Sequence, residues 1–271
     1  DAIYLHQGAQ FHVERLDWEE KRAYVHPIAV DYYTTAEFAV SITVLERYEG
    51  PIGRRCRRSS GEVRVTRLTT IYKKIRFLTH ETVGAGPISL PEQDLHTTAV
   101  WLAFEPDAVA AMTRAELETG LHAVAAALHH AACLLCMCDP RDLGHHAELR
   151  SRGAPGETGI VPSPLQPVPL REVDEFVEGW RPAARGGASG PHAGTPAVYL
   201  FDAAPGGVGL AERCHDRHAE LVEAARGLVD GCTCASGCPS CIGPPPDGID
   251  ARAAARTLLE IARGDADAGS A

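Results

Sequence analysis

Apolar side chains recur in short runs over the first hundred residues, partly at every second position. AIYLH (2–6), FHVERLD (11–17), RAYVHPIAV (22–30), FAVSITVLER (38–47), GEVRVTRLTTIYKKIRF (61–77) and TTAVWLAF (97–104) are rich in Val, Ile, Thr and Tyr, with Gly, Pro or charged breaks between them. That pattern predicts a series of strands, and short strands in series close into a small barrel or a strongly bent antiparallel sheet. From Thr113 the period changes. Leu117, Leu121, Val124, Leu128 and Leu135 recur at three-to-four spacing or its multiples, and Thr113 with Glu116 three residues on forms a capping-box pattern. A buried helix is therefore expected to about Met137, with Asp139-Pro140 ending it.

Residues 151–169 and 181–196 are dense in Gly, Pro, Ser and Ala, with a short helical candidate, Leu170–Trp180, between them. They read as a flexible insertion. VYLFD (198–202) then reads as a buried strand, followed by a Gly-rich turn from Ala203 to Gly209 and one helix with Leu210, Cys214, Leu221, Ala225 and Leu228 on a face. A last helix is expected near Asp250, with Ala254, Leu258 and Ile261 as its apolar stripe. The fold class is α+β. The predicted organisation is a β-rich barrel-like domain over 1–110 and a mixed α/β domain over 111–271 that carries the insertion near 151–196.

The 271 residues are 45% hydrophobic, enough to bury a core. The N-terminus shows no signal-peptide pattern and no uninterrupted apolar run approaches ~18 residues, so a cytoplasmic protein without a membrane span is expected. The formal charge of −10 argues against a general nucleic-acid coat. From Glu46 to Arg76, however, ten basic residues face three acids, so this stretch is +7 and the remainder −17. Arg54, Arg55, Arg57, Arg58, Arg64, Arg67, Lys73 and Lys74 in it are the candidate phosphate contacts.

The densest chemistry is CTCASGCPSC, residues 232–241. Cys232-x-Cys234-x3-Cys238-x2-Cys241 offers four soft thiolates on a short loop, which can fill the tetrahedral shell of zinc and leave no open position, the pattern of a structural site. An iron–sulfur cluster and a redox dithiol are the alternatives. A second group, Cys133, Cys136 and Cys138, ends an apolar helix and reads mainly as small core residues, with Cys138 a further ligand candidate. Asp202 and its Gly-rich turn match neither P-loop nor dinucleotide spacing and read as a tight turn. The adjacent pairs His129-His130 and His145-His146 diverge too far to share one metal. No Gly-x4-Gly-Lys-Ser/Thr occurs and no lysine follows a glycine, so the chain by itself is not a P-loop ATPase.

Several stretches together resemble the C-terminal region of the MrfA-type superfamily 2 DNA helicases, relatives of the DEAD/DEAH-box enzymes. They are AIYLHQGAQFHVERLD, DYYTTA, HTTAVWL, MCDPRDLG, PGGVGLAE and CTCASGCPSC, in that order and spread over about 1–245. The resemblance implies a zinc-binding, DNA-engaging accessory region of an ATP-dependent DNA helicase of 3′ to 5′ polarity with a repair role. Its zinc thiolates map onto Cys232, Cys234, Cys238 and Cys241. It further implies upstream RecA-like lobes in the same polypeptide, where ATP and Mg2+ would bind, and single-stranded or junction DNA as partner. A rival reading is a free-standing metal-dependent hydrolase or nuclease using Asp139, Asp142 and Asp202, which requires those carboxylates to converge on an open-coordinated ion. A thiol–disulfide switch at the cysteine loop is a third.

Overall fold

A computed structural model of the chain describes residues 2–48, 51–149, 195–243 and 248–266, so the insertion and its helical candidate Leu170–Trp180 lie outside the described residues. The fold is α+β, with antiparallel sheets preceding a helical region. By contact density it divides into two units, Asp1–Val40 with Arg67–Gln93, and Ser41–Thr66 with Asp94–Ala271.

In the first unit β1 (Ile3–His6), β2 (Ala9–Asp17) and β3 (Arg22–Pro27) form a three-stranded antiparallel sheet. Gln7 and Gly8 both take positive φ, 47° and 81°, which lets a two-residue turn match the twist of β1 and β2. A second sheet, of six strands, runs in the order β4-β5-β7-β9-β8, with β6 beside β5. Its members are β4 (Tyr32–Arg47), β5 (Cys56–Arg76), β6 (Thr82–Pro87), β7 (Gln93–Phe104), β8 (Leu143–Glu148) and β9 (Ala197–Asp202). The described strands form an open path rather than a closed ring, so the antiparallel-sheet form of the expectation is the one realised. Gly61 permits the close approach of β4 and β5: a Cβ there would stand 2.0 Å from the Glu46 carbonyl oxygen.

Strands β6 and β8 have no counterpart in the pattern of apolar positions. TVGAGP and LGHHAE lack the β-branched and aromatic density that marks a strand, and both are held by pairing with β5 and β9 respectively.

The core of the second unit lies between its strands and helices. Helix α1 (Arg114–Cys136) starts with the expected capping box and ends at Met137, whose left-handed φ of 54° stops it three residues before Pro140. Leu121, Val124 and Leu128 are almost fully buried, as are Leu102, Phe104, Val198 and Leu200 of β7 and β9. By length and composition α1 could cross a bilayer, yet most of its apolar window is buried inside the fold, as in the core helix of a soluble protein. The single helix expected after the Gly-rich turn is two. Helices α2 (Leu210–Asp216) and α3 (His218–Gly231) are separated at Arg217, with φ −99° and ψ 30°. Their apolar stripe continues across the break, which is why the sequence reads as one helix. The Arg217 guanidinium donates to the Leu135 carbonyl at 3.2 Å, satisfying an end of α1. Helix α4 (Pro239–Ile242) is a single turn, and α5 (Ala251–Ala266) packs against α1 and α3.

Candidate metal centre

Helix α3 stops at Gly231, and Cys232 turns to an extended conformation, φ −74° and ψ 135°, that carries the chain into a loop. Cys238 is the N-cap of α4 and Pro239 its first residue, a position where a missing N–H costs nothing. The turn between them places Cys238 and Cys241 one helical step apart, with the Cys241 and Ile242 amides donating to the Cys238 carbonyl at 3.1 Å.

All four ligand atoms lie within 4.8 Å of one another. Cys232 and Cys238 sulfurs are 3.6 Å apart, Cys234 and Cys241 3.6 Å, and Cys238 and Cys241 3.7 Å. Four sulfurs held about 2.3 Å from one zinc at tetrahedral angles stand about 3.8 Å apart. Disulfide sulfurs stand only about 2.0 Å apart, so these are free thiols at the spacing of a metal tetrahedron. Cys241 is buried and the other three half-buried.

The thiols are electrostatically unequal. Donation from the Cys234 backbone amide, with the neighbouring thiols, lowers Cys232 to about 7, whereas burial raises Cys241 to about 12. A metal that takes all four must displace thiol protons, so its hold weakens as pH falls.

Among the described residues no other His, Cys, Asp and Glu side chains form such a grouping. Cys133, Cys136 and Cys138 stay outside it. Cys136 is buried with its sulfur 3.8 Å from that of Cys214, and Cys133 sits 3.7 Å from His129 Nε2, its thiol pushed up to about 11 by burial and then by Cys138. His129 Nε2 lies 3.1 Å from the Pro140 carbonyl and 2.9 Å from that of Leu143. Two carbonyls can share only a donor, so Nε2 carries the proton and ties α1 to the DPRDLG turn. That turn is both capped and salt-bridged: Asp139 accepts from the Arg141 amide and guanidinium, while Asp142 accepts from the Asp139 amide.

Asp202, fully buried, faces the Gly-rich turn. One carboxylate oxygen accepts from the amides of Val208 (2.5 Å) and Leu210 (3.2 Å), the other from Ala211 (2.7 Å). Gly207, at φ 78°, also lies against β7, where a Cβ would meet Thr98 Oγ1 at 2.4 Å. The cradle that could hold a phosphate is thus filled by the protein's own carboxylate. Asp139 and Asp142 are engaged in their exposed turn and Asp202 in this one, so the three do not converge on an open-coordinated ion, as a nuclease site would require.

The basic run is divided. Arg54, Arg55, Arg57, Arg58 and Arg64 belong to the second unit, and Arg67, Lys73 and Lys74 to the first. Arg54, Arg55 and Arg67 are exposed, and Arg64 is half-buried. Arg57 pairs with Glu105 at 2.8 Å, Arg58 donates to the His215 carbonyl at 3.2 Å, and Lys74 lies over the rings of Tyr32 and Tyr72. Lys73 is 2% exposed and ion-paired with Glu37.

The model of the MrfA Zn-binding domain matches residues 167–242, which end one residue past Cys241. The uncharacterized ATP-dependent helicase YprA of Bacillus subtilis (strain 168) is 35% identical over 262 residues, 96% of this chain and 29% of that protein. A crystal structure of the DUF1998 helicase MrfA bound to DNA is 35% identical with a TM-score of 0.61, covering 96% of this chain and 29% of that one.

The chain is homologous to the C-terminal region of the MrfA helicase.

It carries a zinc-binding domain with a four-cysteine cluster. MrfA bound to DNA and AMPPNP matches at 33% identity and a TM-score of 0.52, covering 96% of this chain and 27% of that one. A further crystal structure of MrfA matches at 31% identity and a TM-score of 0.55, covering 96% of this chain and 29% of that one. The chain therefore spans less than a third of the length of these relatives.

Proposed function

We propose that this chain is the zinc-stabilised, DNA-engaging accessory region of an ATP-dependent DNA repair helicase that moves 3′ to 5′. The observation that carries the reading is the sulfur tetrahedron of Cys232, Cys234, Cys238 and Cys241, standing inside a region homologous to a helicase crystallised on DNA. These four thiolates hold a structural zinc. Bound there, the ion supplies a cross-link rather than chemistry: it joins the end of α3 to α4 and leaves no coordination position for substrate.

ATP and Mg2+ bind in RecA-like lobes of the same polypeptide. DNA, single-stranded or at a junction, is held through its phosphates by the exposed members of the basic run, Arg54, Arg55 and Arg67, with Lys74 beside two tyrosine rings. Phosphate contacts of this kind bind with little sequence preference and strong salt dependence.

The test is a salt series of single-strand affinity for the chain and for a variant with Arg54, Arg55 and Arg67 changed to Ser. Each lost phosphate contact lowers the slope of log affinity against log salt by about 0.7 for single strands, so a fall of about 2 is expected. An unchanged slope at full zinc content removes these arginines from the DNA contact.

A further inference from the structure

We infer that Arg252 is the positioning residue of the four-cysteine centre, a conclusion that rests on the zinc reading above. Arg252 lies at the start of α5, outside both the cysteine motif and the matched zinc-binding region. Its guanidinium donates three ways to backbone carbonyls: Nε to Val229 at 2.8 Å, Nη2 to Asp230 at 2.9 Å and Nη1 to Cys234 at 2.5 Å. Its own amide donates to the Ser236 carbonyl at 2.9 Å. One residue thus holds both sides of Cys232, the carbonyl of the ligand Cys234 itself, and the bend leading to Cys238.

The chemistry suits the place. Val229 and Asp230 are in the last turn of α3, where carbonyls lack helical partners and a cation is favoured. Four thiolates on a divalent ion leave two negative charges in excess, which a nearby guanidinium offsets. The planar fork reaches carbonyls in different directions at once, and a lysine ammonium at the end of a flexible stem does not reproduce that reach. Arg256 reinforces the same corner, its Nε 2.6 Å from a carboxylate oxygen of Asp230. Partners that orient a metal's ligands typically contribute 10–100-fold in metal affinity.

The experiment uses the 271-residue chain loaded with zinc, as wild type, R252Q, R252K and the control R263Q. Arg263 also lies on α5 but pairs with Glu223 and Glu260. Zinc affinity is read by competition against a graded chelator, and denaturant midpoints are measured for zinc-loaded and zinc-stripped protein. R252Q is expected to weaken zinc binding 10–100-fold and to lower the zinc-loaded midpoint more than the stripped one. R252K falls close to R252Q, and R263Q matches wild type. Affinity within about twofold of wild type in both Arg252 variants overturns the inference, as does an equal loss of midpoint in both metal states, the mark of an ordinary helix cap. Should R252Q fail to fold, R252K alone decides on the same two readouts. A wild-type chain that takes up no zinc overturns the zinc reading and this inference with it, and is distinguished by metal content before any variant is compared.

Discussion

Asp202 shows how a single buried side chain can settle what a motif does. A glycine-rich turn after a strand suggests an anion site, and here the anion is the carboxylate of the last strand residue before the turn, accepting from three amides. Replacing it with Ala leaves three amides unmet, that of Ala211 buried and those of Val208 and Leu210 part-buried, where a buried unmet donor costs about 1–3 kcal/mol. D202A is therefore expected to lose about 3 kcal/mol or more in urea unfolding, where a merely exposed turn residue would change little. His218 is a second buried group, and burial, aided by the Arg58 charge, lowers it to about 4. The folded state thus holds the neutral ring, while the unfolded chain protonates near 6.5. Stability contributed by His218 is present above pH 6.5, falls as pH drops toward 4 and is constant below that, by about 3 kcal/mol in all. H218L should flatten that part of the acid limb, leaving the zinc-linked part common to both proteins. Equal limbs in the two proteins would remove His218 from the account.

At the scale of elements, the capping box of α1 and the apolar spacing behind it are local, and the helix was legible from them. The four-cysteine loop was legible for the same reason, since its ligands fall within ten positions. Strands β6 and β8 were not, because TVGAGP and LGHHAE become strands only against β5 and β9. The break at Arg217 was hidden as well, because the apolar stripe runs across it. The loop between α3 and α4 buries little beyond its partly buried cysteines, so on the zinc reading the ion holds it together with the Arg252 hydrogen bonds. Chelation is expected to lower the unfolding midpoint and to open the segment 232–243 to proteolysis. A digestion pattern unaffected by chelator would mean that packing alone orders the loop.

For the molecule as a whole, the charge asymmetry of the sequence becomes more selective in three dimensions. A run of basic residues reads as one strip, yet Lys73 of β5 is buried against Glu37 while Arg54, Arg55 and Arg67 stay exposed. In the salt series proposed above, K73M is accordingly the informative companion: it strands the half-buried Glu37 carboxylate and should reduce stability, but it should leave the salt slope of DNA binding unchanged. A reduced slope in K73M would place its ammonium on the phosphates after all. What the sequence by itself determined is what depends on neighbours along the chain: the helix start at Thr113, the strand VYLFD, and the ligand set from Cys232 to Cys241. Only the tertiary structure decided which basic residues face outward and that Arg252 braces the cysteine loop. Each of those rests on hydrogen bonds or burial between segments that meet only once the chain has folded, and spacing along a sequence carries no record of such meetings.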